Sequence, residues 1–406
     1  CRECGAAYPA DARYSCDDCF GPLEVAYDLE AARRSLTRDA IESGPASMWR
    51  YGALLPDPGA APVDLGAGWT PLRRAPRLGA ALGLPDLYLK DDTRNPTGSF
   101  KDRVVSVALS AARRLGFSTA ACASTGNLAT SVAAHAAHLG WPSVTIIPSD
   151  LEVSKVAMAA IFGGVVLGVE GSYDDVNRLC VELSAEHPDW AFANVNVRPY
   201  YAEGSKTLAF EIAEQLGWRY PDQVVVPVAS GSQLTKVAKG FRELRAVGLV
   251  EGRAPRLFGA QAAGCAPVAA AFAAGESVVT PVRPRTIARS LAIGNPADGP
   301  YALDGVRASG GDVGAVGDDE VLEGIALLAE TEGLFAETAG GVTVACLRQM
   351  LERGSVDPSG SVVAIISGHG LKTLDAVAPV AGLTATIPPS LAAARAALGE
   401  SLVGAA

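Results

Sequence analysis

The sequence lacks the features of a membrane protein or a nucleic-acid-binding protein. Its 406 residues carry 34 Lys and Arg against 44 Asp and Glu, a net charge of −10, and no basic stripe or tail. This balance argues against nucleic acid and anionic membrane surfaces as partners. The apolar runs are too short or too interrupted to span a bilayer, and the first residues do not resemble a signal peptide. We therefore expect a cytoplasmic protein.

Charged residues are also sparse, at 19%, whereas 49% of the chain is hydrophobic. This composition suffices for one large core or two moderate cores and argues against disorder. The 44 Gly and 26 Pro are scattered, as expected for many short turns rather than a low-complexity tract. We find no internal repeat.

Cysteine usage divides the eight cysteines into two groups. Four stand alone inside apolar segments, where they behave as small buried hydrophobes: Cys122, Cys180, Cys265 and Cys346. The other four form two pairs with two residues inside each pair, namely Cys1 and Cys4, then Cys16 and Cys19. This spacing is typical of a four-thiolate zinc ribbon, in which the metal is structural because no coordination position is left for water. A ribbon without metal and a pair of disulfides are the alternatives.

From residue 70 onward, short apolar runs alternate with helical patterns, which predicts right-handed crossovers and mostly parallel sheets. We predict strands at 86–90, 119–123, 143–148, 165–169, 190–195 and 223–228. The intervening helices are predicted at 99–116, 127–140, 154–162, 174–186, 205–216 and 233–247. The length favours two α/β domains that share a cleft. We assign a zinc-ribbon-like module to 1–28, a large domain to 29–110 and 195–390, and a small domain to 111–194.

Three loops stand where a predicted strand gives way to a helix, which is where ligands collect in such sheets. Pro96–Ser99 leads to Lys101 in the first turn of a helix, as suits a Schiff-base lysine. Ser124–Asn127 offers hydroxyls and free amides to a carboxylate, and Ser230–Gln233 offers them to a phosphate. Each loop alone is common in α/β proteins. Together they indicate an enzyme that holds a phosphorylated aldehyde cofactor.

Several longer motifs carry a family resemblance. They are NPTGSFKDR at 95–103, ASTGN at 123–127, SGHGLK at 367–372, WRY at 49–51, GWTPL at 68–72, EGSKTLAFE at 203–211 and AIGNPADG at 292–299. With the cysteine pairs, they resemble the threonine synthases, a family of fold-type II pyridoxal-phosphate enzymes. The resemblance extends from the cysteine pairs to about residue 380. It implies the fold-type II architecture, pyridoxal 5'-phosphate as cofactor and a homodimer.

The resemblance also implies roles around the cofactor. Lys101 matches the lysine that bonds to the aldehyde and then moves protons as acid and base. Asn127 matches the asparagine beside the pyridoxal 3-hydroxyl, and Ser367 stands where a hydroxyl meets the pyridine nitrogen. The phosphate loop of the family corresponds to Ser230, Gly231, Ser232, Gln233 and Leu234.

For the substrate, the implied reaction converts O-phospho-L-homoserine and water to L-threonine and phosphate. Ser124, Thr125 and Asn127 would bind its carboxylate. The family commonly binds the substrate phosphate with a serine and an arginine, and these positions are Asn196 and Tyr201 here. We hypothesise that the neighbouring Arg198 supplies the charge, since phosphates need cationic donors.

Two alternatives remain open at this stage. The altered pocket also suits β-replacement on O-phosphoserine, as in cysteate synthase. A protein of another class, a zinc-ribbon binding or scaffold protein on an inactive enzyme fold, is permitted by the ribbon. The intact lysine, asparagine and hydroxyl set argues against that scaffold.

Overall fold

The computed structural model describes residues 1–57, 59–124, 126–149, 153–171 and 173–403. The chain forms one large compact unit, Cys1–Lys372, and a second unit, Thr373–Ala406. Both sheets lie in the first unit, and the second unit contains two helices in its described part. None of the helices in the described ranges is both long enough and apolar enough to cross a membrane.

Two sheets organise the large unit. The strands are β1 Leu72–Arg74, β2 Leu87–Asp91, β3 Thr119–Ala123, β4 Ser143–Pro148, β5 Val165–Val169, β6 Trp190–Phe192, β7 Gln223–Pro227, β8 Arg256–Ala262, β9 Val313–Val316 and β10 Val362–Ile366. One sheet has the order β1-β2-β10-β7-β8-β9, and the other has the order β5-β4-β3-β6. Every pairing is parallel except that of β1 with β2.

Helices connect the strands. They are α1 Leu29–Ser35, α2 Arg38–Glu42, α3 Pro76–Leu82, α4 Lys101–Arg114, α5 Asn127–Leu139, α6 Val153–Ala160, α7 Tyr173–Glu186, α8 Arg198–Glu203, α9 Thr207–Gln215, α10 Ser232–Ala246, α11 Pro267–Ala273, α12 Gly299–Ser309, α13 Asp318–Glu332, α14 Thr338–Glu352, α15 Leu374–Val377 and α16 Leu391–Val403. Five 3-10 segments add short turns at Met48–Leu54, Asp92–Arg94, Gly204–Lys206, Arg289–Leu291 and Gly370–Thr373 in the described part.

The predicted fold class, two mostly parallel α/β sheets, is confirmed. Central strands buried on both faces read as continuous apolar runs, and all five residues of β10 are buried. The strands β3, β4 and β5 have the predicted limits. All strands of the second sheet fall within 119–192, inside the range assigned to a small domain, and the domain limits themselves stay a prediction.

Strand β6 ends earlier than predicted, at Phe192 rather than residue 195. The side chain of Asn196 turns back onto this strand. Its Oδ1 accepts from the Phe192 amide at 2.9 Å, and its Nδ2 donates to the Trp190 carbonyl at 2.9 Å. These two bonds hold the segment after Phe192 folded back against β6, and the chain leaves the sheet there.

A buried ion network lies directly behind the Lys101 turn. Arg103 is fully buried and donates to both carboxylate oxygens of Asp92, at 2.7 and 2.8 Å. The same guanidinium bonds to Glu211, whose carboxylate also pairs with Lys90 at 2.7 Å. Thr70 receives a further hydrogen bond at 3.0 Å. The network therefore joins β2, α4, α9 and the segment before β1.

Glu211 depends on this network for its ionised state. Burial opposes ionisation, but Arg103 and Lys90 lower the pKa of Glu211 from 4.5 to about 2. A carboxyl group whose pKa is lowered by folding stabilises the folded state at pH values above the pKa that the group has in the unfolded chain. We infer that this contribution is lost as the pH falls from 4.5 towards 2.

We predict that Arg103→Met lowers the free energy of unfolding by about 3–5 kcal/mol, because it leaves two buried carboxylates short of a partner. Chemical denaturation followed by tryptophan fluorescence measures the change.

The matched control is Arg178→Met. Arg178 pairs with Asp175 and Glu182 at 3.5 and 3.1 Å, but its side chain is 67% exposed. A surface pair contributes at most about 1 kcal/mol. Equal effects of the two substitutions would contradict a structural role of the network.

Candidate active site

Three loops meet at the carboxyl edge of the larger sheet. The neighbouring strands β2, β10 and β7 run parallel, so the segments that follow them leave the sheet on the same side. These segments are 92–100, 367–370 and 228–231. They contain the lysine turn, Ser367 and the start of the predicted phosphate loop.

Backbone hydrogen bonds fasten the lysine turn to the segment after β10. The Phe100 amide donates to the Ser367 carbonyl at 2.8 Å, and the His369 amide donates to the Gly98 carbonyl at 2.9 Å. Gly98 has a φ of +76°, a conformation that favours glycine. Helix α4 then begins at Lys101 itself. The turn thus gives Lys101 a fixed place at the sheet edge.

Lys101 is half-buried among aromatic rings. Its Nζ lies 4.4 Å from the ring centroid of Phe100 and 5.9 Å from that of Tyr201 in α8. Both distances allow a cation–π attraction. Ser99 beside it is fully buried, and its Oγ has no hydrogen-bond partner among the described residues. A polar ligand at this turn would satisfy that hydroxyl.

A carboxylate links the two sheets. Asn127 at the start of α5 donates to Glu337 Oε2 at 2.8 Å, and Ser367 Oγ donates to Glu337 Oε1 at 3.4 Å. Burial raises the pKa of Glu337, while the hydrogen bond from Asn127 and the charges of Lys372 and Lys101 act in the opposite direction. The sequence reasoning missed Glu337. The feature of the sequence that could have pointed to Glu337 is an acidic residue directly before an Ala- and Gly-rich helix, α14.

The predicted phosphate loop has the shape that anion binding needs. Helix α10 begins at Ser232, so its first amides are free of intrahelical partners. Gly231 has a φ of +91°, and a Cβ there would lie 2.5 Å from the Asp298 carbonyl oxygen. Only glycine fits this position. The Nε2 of Gln233 is buried without a partner in the described part of the chain, and Leu234 packs in the core.

The predicted carboxylate-binding loop follows β3 in the smaller sheet. Ser124 is half-buried directly after the strand, and Thr125 lies outside the described residues. Asn194, which the sequence reasoning passed over, donates to the Ala123 carbonyl at 3.4 Å. Its Oδ1 is buried without a partner in the part of the chain described. Asn194 is therefore a further polar group at this edge.

The three residues expected to bind the substrate phosphate differ in their placement. Tyr201 lies beside Lys101. Both polar atoms of Asn196 bond to the backbone of β6, which favours a structural role for it. The guanidinium of Arg198 pairs with Asp298 at 2.6 Å. Of the three, Tyr201 is thus the residue that the structure brings to the lysine.

The four paired cysteines form a separate cluster. The sulfur atoms of Cys1, Cys4, Cys16 and Cys19 all lie within 4.8 Å of one another. The pairs Cys1–Cys19 and Cys4–Cys16 are 3.5 and 3.6 Å apart, too far for disulfide bonds. Tetrahedral zinc thiolates have sulfur atoms about 3.8 Å apart. A hydrogen bond from Tyr8 lowers the pKa of Cys16 from 9.0 to about 7, which favours the thiolate that metals bind.

Comparisons with known proteins agree with this geometry. The profile of the family "Pyridoxal-phosphate dependent enzyme" matches residues 63–368. The threonine synthase of Methanocaldococcus jannaschii is 38% identical over 380 residues, 93% of each chain. That of Methanosarcina acetivorans is 37% identical over 401 residues, 98% of each chain. A solved structure of processed threonine deaminase isoform 2 from Solanum lycopersicum has a TM-score of 0.64 at 20% identity, covering 89% of this chain and 91% of that one. This last likeness concerns the fold alone.

The chain therefore belongs to the pyridoxal-phosphate-dependent enzymes of fold type II. Within that family, its similarity over nearly the whole length places it among the threonine synthases. The resemblance inferred from the motifs is confirmed. The inactive scaffold has no support in these findings.

Proposed function

We propose that the chain converts O-phospho-L-homoserine and water to L-threonine and phosphate. The observation that carries the proposal is the meeting of Lys101 and Ser367 at the carboxyl edge of the larger sheet with Asn127 from the smaller sheet, which shares the Glu337 carboxylate with Ser367. This meeting occurs in a chain that is 37–38% identical to threonine synthases over 93–98% of its length.

The site fits pyridoxal 5'-phosphate. Ser99 Oγ and Gln233 Nε2 are buried donors without partners among the described residues. The left-handed Gly231 and the free amides at the start of α10 suit a phosphate, as predicted for Ser230–Leu234. Lys101 would bond to the aldehyde, and Ser367 would face the ring nitrogen. When bound, the cofactor supplies an electron sink for the carbanions that form beside the amino group.

The residues of the chain supply positioning and proton transfer. Lys101, fixed by the Ser367 contact, would take the substrate α-proton and move protons among the α, β and γ carbons. Ser124, Thr125 and Asn127 would hold the substrate carboxylate. Glu337 would orient the Asn127 amide through their 2.8 Å hydrogen bond. The reaction is completed when phosphate leaves the γ-carbon and water adds at the β-carbon, which gives threonine and phosphate.

A second candidate is β-replacement on O-phosphoserine. The observation that favours it is Tyr201, an uncharged residue next to Lys101 where the family commonly has an arginine. The ion pair of Arg198 with Asp298 also engages the cation expected to compensate. A shorter substrate would place its phosphate differently in this pocket.

We predict that the purified enzyme releases phosphate and threonine in a ratio of about one to one from O-phosphohomoserine. The measurement is phosphate release and amino-acid product for O-phosphohomoserine and O-phosphoserine side by side. The matched control is Lys101→Ala, which we expect to lose turnover by at least about 1,000-fold because it removes both cofactor bond and proton carrier. Turnover of O-phosphoserine alone, with an added nucleophile, would contradict the proposal and favour β-replacement.

We also propose that the cysteine cluster binds structural zinc. The mutual sulfur distances and the four-thiolate set support this choice over a metal with an open position. The cytoplasmic location and the homodimer expected from the sequence stay predictions.

We predict one zinc ion per chain by metal analysis of the purified protein. Cys16→Ser should lower this content to near zero, since zinc affinity depends on the full thiolate set. Cys265→Ser, a buried cysteine outside the cluster, is the control and should keep the zinc. Zinc retained at full occupancy in Cys16→Ser would refute the assignment.

A further inference from the structure

Asp298 lies directly beneath the predicted phosphate loop. It is 6% exposed and precedes α12. Its backbone amide donates to the Ser230 carbonyl at 2.8 Å. Its carbonyl oxygen would lie only 2.5 Å from a Cβ at Gly231. The position of Asp298 thus determines the position of the loop.

Two arginines hold the Asp298 carboxylate from outside the loop. Arg198 donates to Oδ2 at 2.6 Å, and Arg2 donates to Oδ1 at 3.4 Å. The side chain of Asp298 is 9% exposed, against 20% for Arg2 and 37% for Arg198, so solvent screens these two ion pairs only in part. Asp298 is therefore anchored in part by a residue between Cys1 and Cys4.

The segment between Cys1 and Cys4 also contacts the start of α12 at a second point. The guanidinium of Arg2 lies 3.6 Å from the ring centroid of Tyr301, and Glu3 accepts a hydrogen bond from the Tyr301 hydroxyl. The two residues between the cysteines therefore contact both Asp298 and α12.

The cysteine cluster fixes where Arg2 and Glu3 lie. The Arg2 amide donates to the Pro22 carbonyl at 3.0 Å, next to the second cysteine pair. The Glu3 amide donates to Cys1 Sγ at 3.4 Å. A metal bound by all four sulfurs would lock this arrangement, because short cysteine modules are ordered mainly by their metal.

We propose that metal binding at the four cysteines strengthens retention of the cofactor, with Arg2 and Asp298 as the positioning residues between the two sites. This rests on the proposed function and on the zinc assignment. The zinc-bound pair places Arg2, Arg2 holds Asp298, and Asp298 holds Ser230 and Gly231 around the cofactor phosphate. Such coupling is reciprocal, so bound cofactor raises the affinity for zinc by the same factor.

The test measures binding rather than turnover. The dissociation constant of pyridoxal 5'-phosphate is determined from its visible absorbance on the full chain, zinc-loaded and zinc-depleted. We expect zinc removal to raise this constant by at least about fivefold. Pyridoxal, which lacks the phosphate, should bind with nearly the same affinity in both states. Zinc affinity, measured by chelator competition, should rise by the same factor when pyridoxal 5'-phosphate is bound.

Two variants separate the proposed route from general unfolding. In Arg2→Gln, zinc removal should change the cofactor dissociation constant much less than in the wild-type protein, because only the contact of Glu3 with Tyr301 remains. The matched control is Arg13→Gln, because Arg13 carries the same charge in the same module but contacts Asp11, Asp17 and Tyr8 there. This control should keep the wild-type response to zinc.

The outcomes distinguish this proposal from those on which it rests. Equal cofactor affinity with and without zinc, or an unchanged zinc response in Arg2→Gln, would overturn the coupling. In either case, wild-type protein that still binds cofactor and makes threonine would leave the proposed function intact. Wild-type protein that binds neither pyridoxal 5'-phosphate nor zinc would overturn the coupling together with the proposed function and the zinc assignment on which it rests.

Discussion

The buried pairing of Arg103 with Asp92 and Glu211 is the constraint on which the active-site architecture depends. It stands two residues after Lys101 and ties the start of α4 to β2 and α9. A buried guanidinium with this many partners has one geometry, because each lost contact leaves a charge unpaired. Asp102 also fastens the lysine turn to α4, because its carboxylate accepts a hydrogen bond from the Thr97 amide at 2.7 Å. The lysine turn therefore starts a helix whose position is fixed from behind, and Lys101 faces the sheet edge.

Much of the fold and part of the site could be predicted from local sequence. Strands β3 and β4 are apolar runs bounded by turn residues, and their limits follow from that pattern alone. Lys101 and Asn127 could be selected because each begins a helix directly after a loop of small residues. Within one sheet, parallel strands bring such loops to one edge, which accounts for the meeting of the lysine turn with the segment after β10.

The remaining features depend on contacts between distant residues, which local patterns do not contain. Glu337 resembles any acid before a helix, and its role emerges only through Asn127, 210 residues earlier. Arg198 was hypothesised to supply charge to the substrate phosphate, and that role stays a prediction. Its ion pair with Asp298, 100 residues away, could not be predicted from the local sequence. Strand β6 ends early because one side chain, Asn196, folds back onto it. Each of these depends on partner geometry rather than on periodicity.

The central claim is that Lys101 carries the cofactor at this edge, and its most direct test is borohydride reduction of the purified protein followed by peptide mapping. We predict that the cofactor is recovered on the peptide containing Lys101, and that Lys101→Ala yields no labelled peptide. Lys372 is the informative comparison, because its Nζ is also buried and has no hydrogen-bond partner among the described residues. Label on Lys372 in the wild-type protein, or on no lysine at all, would contradict the account.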